Sequence, residues 1–122
     1  IRLRQFCEYL PPVWWVGDQV RMPFRENDLL ILFSKDGERG ELASVTYQAA
    51  QYGAKIVLIT ASRNSRVGAL ARLKIIIPLS GKPFVYGGGD FELGVFFFQE
   101  VLVTYLGESM CVPKECVWRN HV

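Results

Sequence analysis

The sequence is short of the residues that mark the commonest site chemistries. It has one histidine and three cysteines, Cys7, Cys111 and Cys116, with no C-x-x-C pair among them. A tetrahedral zinc site would lack ligands, so no metal is expected. So few cysteines suit a reducing compartment, with a Cys111–Cys116 disulfide as the weaker alternative. No apolar run approaches the roughly 18 to 20 residues that cross a bilayer, and no charged-then-apolar leader opens the chain. A soluble, cytoplasmic protein with no membrane partner is the expectation. Excess basic charge is also missing: 14 Lys and Arg against 12 Asp and Glu leave +2, and the basic residues do not cluster. That excludes a phosphate-backbone reader, and no nucleic-acid partner is expected. Neither Gly-x-x-x-x-Gly-Lys nor Gly-x-Gly-x-x-Gly occurs, which leaves nucleotide binding with little support.

What is present is apolar and ordered. Half of the 122 residues are hydrophobic and only 21% are charged, which suits one folded domain rather than a disordered tail. Leu29-Leu30-Ile31-Leu32-Phe33 and Lys55-Ile56-Val57-Leu58-Ile59-Thr60 are continuous apolar runs. Such runs predict parallel strands covered on both faces. Leu73 to Ile77 is a further strand stopped by Pro78, and Val13-Trp14-Trp15-Val16-Gly17 is another apolar run read as a buried strand. Trp14 and Trp15 are then core or interface residues. Between the strands, Leu42, Val45, Ala49 and Tyr52 recur at helical spacing from Glu38 to Tyr52, where Gly53 ends the pattern. Leu3, Phe6 and Leu10 suggest the tail of an earlier helix. A short helix is predicted over Ser65 to Leu70 and a long one from Phe91 to about Leu106, with Asp90 as its cap. Val95-Phe96-Phe97-Phe98 is apolar almost all round, so burial on more than one side, partly by a partner subunit, is expected. Pro113 suits the start of a terminal helix reaching Trp118.

Strands alternating with helices imply βαβ units and a parallel sheet. In such sheets ligands bind at the carboxyl ends of strands, where loops run into helix N-termini. Two turns qualify. Ser34-Lys35-Asp36-Gly37-Glu38-Arg39-Gly40-Glu41 offers a hydroxyl, two glycines and backbone N–H groups at the positive end of a helix. The other runs from Thr60 through Ser62 to Ser65. Gly87-Gly88-Gly89 follows no strand directly and reads as a connector.

The run from Asn27 to Leu42, an Asp-initiated strand entering a Gly loop, resembles the signature of the sugar isomerase (SIS) domain family. Gly53 to Thr60 with Asn64-Ser65 is similar to that family's second strand and turn. Within the family, Val16-Gly17-Asp18, the pair Phe91-Glu92 and the near-terminal Arg119-Asn120-His121 resemble the 6-phospho-3-hexuloisomerase group. The resemblance implies an α/β fold of three αβα layers, with a parallel sheet of SIS type (flavodoxin-like topology). Residues 1–122 would form a single SIS domain whose first strand and Gly-Ser turn lie before Ile1. It further implies a cofactor-free aldose–ketose isomerase acting on a hexulose-type sugar phosphate through an enediolate. The alternative is a non-catalytic phosphosugar-binding sensor or regulator. Glu92 would be the base and His121 a candidate for ring opening or proton shuttling. Ser34, Lys35, Gly37, Arg39, Thr60 and Ser65 would hold the phosphate. A dimer or tetramer is expected. Asp36 and Arg39 stand where the family places a Ser and a Thr, and Arg72 where it commonly has an Asp. Asp36 would repel a phosphate, and Arg39 could restore the balance.

Overall fold

The computed structural model describes Phe6, Val13 and residues 23–119. The strand expected at residues 13–17, save Val13, and the helix tail at 2–10, save Phe6, lie outside the described residues, as do Val16-Gly17-Asp18 and His121. The elements run β1 (Leu29–Phe33), α1 (Gly40–Gln51), β2 (Lys55–Thr60), a 3-10 turn (Gly68–Leu70), β3 (Leu73–Ile76), α2 (Asp90–Ser109) and α3 (Lys114–Arg119). They divide into two compact units, one spanning Met22–Val95 and the other Ile1–Arg21 with Phe96–Val122.

In the first unit the sheet is parallel throughout, in the order β1-β2-β3. Leu30 pairs with Ile56 and Leu32 with Leu58, then Leu58 with Lys74 and Thr60 with Ile76. The expected α/β architecture with a parallel sheet is therefore present. Its core is Leu30, Leu32, Ala49, Ile56, Leu58 and Val67, with Leu42, Ala43 and Val45 of α1 packed against it. Each fully buried aliphatic side chain there contributes about 1.5–3 kcal/mol. The other face carries Ile59, which is buried, and Ile31 and Val57, which are half-buried.

Double coverage of β1 does not hold. Leu30 and Leu32 are buried, but Leu29 is 59% and Phe33 46% exposed. Its side chains alternate in and out, as on a strand covered on one face. Turn chemistry fixes the start of β1 and the end of α1. At the amino end, the Asp28 carboxylate accepts a hydrogen bond from the Arg25 N–H (2.8 Å), so this acid ties the turn that launches the strand. Gly53, at φ +81°, donates to the Ala50 carbonyl and ends α1.

Two further expectations on the helices are corrected. The segment 65–70 forms only a single 3-10 turn over its last three residues. The Asp90 side chain does not cap its own helix; it reaches back to the loop before it. Its carboxylate accepts from the Phe84 (2.7 Å) and Val85 (2.8 Å) N–H groups. Within the single chain, Phe96 is 59% and Phe97 71% exposed, and of the residues in α2 only Phe91 is buried. A Cβ at Gly94 would lie 2.6 Å from Ile77 Cγ2, so that glycine admits a close neighbour. No described helix is long and apolar enough to cross a membrane.

Candidate functional site

The carboxyl end of β1 opens on a cleft of about 240 Å³ lined by Phe33, Ser34, Lys35, Asp36, Arg39, Phe91 and Glu92. Phe33 is the last residue of β1, Arg39 is the N-cap position of α1, and Phe91 and Glu92 lie in the first turn of α2. The N-cap side chain makes no capping hydrogen bond. The amino ends of two helices thus border the same cleft, and their partial positive charge favours an anion there.

The loop between β1 and α1 is built by its own side chains. Ser34, buried at 7% exposure, accepts a hydrogen bond at Oγ from the Gly37 N–H (3.0 Å). The Asp36 carboxylate accepts one at Oδ1 from the Glu38 N–H (3.0 Å). Gly37 stands at φ +69°, and a Cβ there would overlap the Ser65 side chain. Only glycine meets both demands.

The turn after β2 clamps that loop. The Ala61 N–H and the Thr60 hydroxyl both donate to the Lys35 carbonyl (3.0 Å each). The Val67 N–H donates to the Gly37 carbonyl (3.0 Å), and the Arg66 N–H to Glu38 Oε1 (3.0 Å). The Arg66 guanidinium also lies 3.8 Å from Glu38 Oε2, but both side chains are half exposed or more. Such a pair is worth at most about 1 kcal/mol.

Of the residues singled out from sequence, Ser34, Lys35, Arg39 and Glu92 meet in the cleft, and so does Asp36. Gly37 shapes the loop without lining the cleft. Thr60 and Ser65 are not among the cleft-lining residues: Thr60 is fully buried, donating to Lys35 and accepting from the Ser62 N–H (3.2 Å), and Ser65 Oγ accepts from the Gly68 N–H (2.9 Å). Phe33 and Phe91 were not anticipated as cleft residues. Their signal was adjacency, since each directly precedes a singled-out side chain, Ser34 or Glu92.

The charges lining the cleft are balanced, Lys35 and Arg39 against Asp36 and Glu92. Asp90 is held below the usual carboxylate range, first by the Phe84 and Val85 N–H groups and then by the Lys35 ammonium. No cluster of three His, Cys, Asp or Glu among the described residues could hold a metal. The arrangement offers cations and helix dipoles for an anion, with one carboxylate, Glu92, on the side of the cleft away from the β1 loop.

Several solved structures share this fold. A hypothetical protein from Methanococcus jannaschii, described as inferring a 3-hexulose-6-phosphate isomerase function, superposes with a TM-score of 0.86 at 18% identity, over 98% of this chain and 67% of its own. A second hypothetical protein matches at 0.77 and 22% identity, over 88% of this chain. The chain spans 61% of that protein's length. The Vibrio vulnificus NanR protein, solved in complex with ManNAc-6P, matches at 0.64 and 23% identity over 75% of this chain and 35% of its own. No curated protein matches. The SIS domain family model matches residues 17–88, more than half of the sequence and most of the unit that carries the cleft, and the chain therefore belongs to the SIS domain family.

Proposed function

We propose that the cleft at the carboxyl end of β1 binds a phosphorylated sugar and that the chain is a sugar-phosphate isomerase of the hexulose-phosphate type. The observation that carries this reading is the meeting of Ser34, Lys35 and Arg39 with Glu92 in one cleft bordered by two helix N-termini. Arg39 can grip phosphate oxygens in pairs, Lys35 adds a point charge, and the Ser34 hydroxyl keeps its proton to donate. The sugar then extends toward α2. There the Glu92 carboxylate takes the proton from the carbon beside the carbonyl, and the C–H electron pair moves into an enediolate. The hydroxyl proton on the carbon that lost its hydrogen passes to the former carbonyl oxygen, and return of the abstracted proton to the former carbonyl carbon completes the exchange, with no external oxidant or reductant. Phe33 and Phe91 give the cleft apolar walls against which a sugar ring can lie. His121 remains the candidate for ring opening.

A second reading is a phosphosugar-binding regulator without turnover. It is favoured by Asp36, whose carboxylate and the Ser34 hydroxyl already satisfy two of the loop's N–H groups. Turnover of hexulose 6-phosphate, measured for the full chain and for Glu92→Gln, separates the two. The isomerase reading predicts turnover that falls about 10²- to 10⁴-fold in Glu92→Gln with binding retained. Binding without turnover in either protein contradicts it and leaves the regulator.

A further inference from the structure

Most of the hydrogen bonds that hold the β1–α1 loop against the turn after β2 end on main-chain carbonyls, which any residue would offer. Lys35 accepts from the Ala61 N–H and the Thr60 hydroxyl, and Gly37 from the Val67 N–H, each at 3.0 Å. Glu38 differs. Its Oε1 accepts from the Arg66 N–H at 3.0 Å, and among the described residues it is the one side chain of the loop that bonds the facing turn. Its own N–H is taken by the Asp36 carboxylate, so main chain and side chain are both tied. Glu38 does not line the cleft, but the next residue, Arg39, does so from the N-cap position of α1. From this placement we infer that Glu38 is a positioning residue of the anion site. By holding the Arg66 N–H it sets where Arg39 and the start of α1 stand at the cleft, without itself touching a ligand.

The carboxylate could act as an acceptor or as a charge, and the two roles have opposite signs. A charge-assisted bond to a backbone N–H is directional and about twice as strong as a neutral one. The ion pair with Arg66 Nε, at 3.8 Å and with both side chains half exposed or more, adds little. A negative charge close to a bound anion would oppose binding. Removing the acceptor therefore weakens binding if Glu38 positions the loop, and strengthens it if the charge dominates. A loop that must be ordered at each encounter loses part of its binding energy to that ordering. The Glu38 bond sets that order in advance.

This inference rests on the reading that the cleft takes a sugar phosphate, and the experiment keeps the two apart. Calorimetric titration with fructose 6-phosphate compares the full chain as wild type, Glu38→Ala, Glu38→Gln and Arg66→Ala, and amide hydrogen exchange at Arg66 is followed in the same proteins without ligand. Glu38→Ala is expected to bind about fivefold or more weakly than the wild type and to lose protection of the Arg66 N–H. Glu38→Gln keeps a carbonyl oxygen for that N–H and restores both. Arg66→Ala keeps the N–H and stays within about twofold of the wild type. Unchanged or tighter binding in Glu38→Ala, weaker binding there with Arg66 protection intact, no rescue by Glu38→Gln, or an equal loss in Arg66→Ala overturns the inference while leaving the sugar-phosphate reading intact. No heat from the phosphate ester in any of the proteins overturns that reading, and the inference falls with it.

Discussion

Asp90 shows how a single residue serves the cleft from outside it. Its carboxylate accepts from the Phe84 and Val85 N–H groups and feels the Lys35 charge, which together hold it below its ordinary value of 3.8. A carboxyl whose folded value is depressed stabilises the fold fully above the unfolded value, and that contribution is lost as pH falls through the folded one. The latch on residues 84 and 85 is therefore intact at neutral pH and releases only below about pH 3.8. Amide hydrogen exchange at Phe84 and Val85 checks this. Protection relative to neighbouring loop amides is expected to hold down to pH 4 and to be absent at every pH in Asp90→Ala. Unchanged protection in that variant contradicts the latch. Sequence placed Asp90 at the right position with the wrong partner, because an acid at a helix start can turn inward to N3 or backward to the preceding loop. Local spacing does not distinguish the two.

Among the elements, β1 and β2 keep the limits expected of them, Leu29–Phe33 and Lys55–Thr60, since a continuous apolar run bounded by turn residues leaves little freedom. Helix limits were less legible. The helical spacing starts at Glu38, but Gly37 and Glu38 have their N–H groups taken by Ser34 and Asp36, and the helix begins at Gly40. The far end of α2 passes Gly107, where a stop was expected, and turns at Cys111, which adopts φ +53°. The clamp between the two strand-end turns is the element-scale feature on which the cleft depends, and Gly37 is its narrowest point. Replacing it by alanine forces a side chain into the left-handed region, at a cost of about 1–3 kcal/mol, and drives a methyl group into Ser65. Urea denaturation of Gly37→Ala is expected to show a loss of at least that size together with weakened sugar-phosphate binding. A variant as stable as the wild type contradicts the clamp.

For the molecule as a whole, the family was legible because its signature is local: the strand, the loop and the next strand lie within residues 27–65. The cleft itself was only half legible. Ser34, Lys35 and Arg39 are consecutive or nearly so in the chain, whereas Glu92 joins them from α2 by tertiary folding that no spacing rule encodes. The exposed side chains Phe96, Phe97, Val101 and Tyr105 on α2 carry the proposal that two copies of this chain associate through that helix, since three of them recur every four residues. Light scattering behind size exclusion is expected to give a dimer or larger for the wild type and a smaller mass for Phe97→Glu; a wild-type monomer at high concentration contradicts it. The central claim, that the cleft at the end of β1 holds a sugar phosphate, is tested most directly by following backbone amide resonances of the full chain during titration with fructose 6-phosphate. The account predicts saturable shifts concentrated at Ser34–Gly40 and Phe91–Glu92, with the amino end of β1 around Asp28 unmoved; saturable shifts elsewhere, or none, would contradict it.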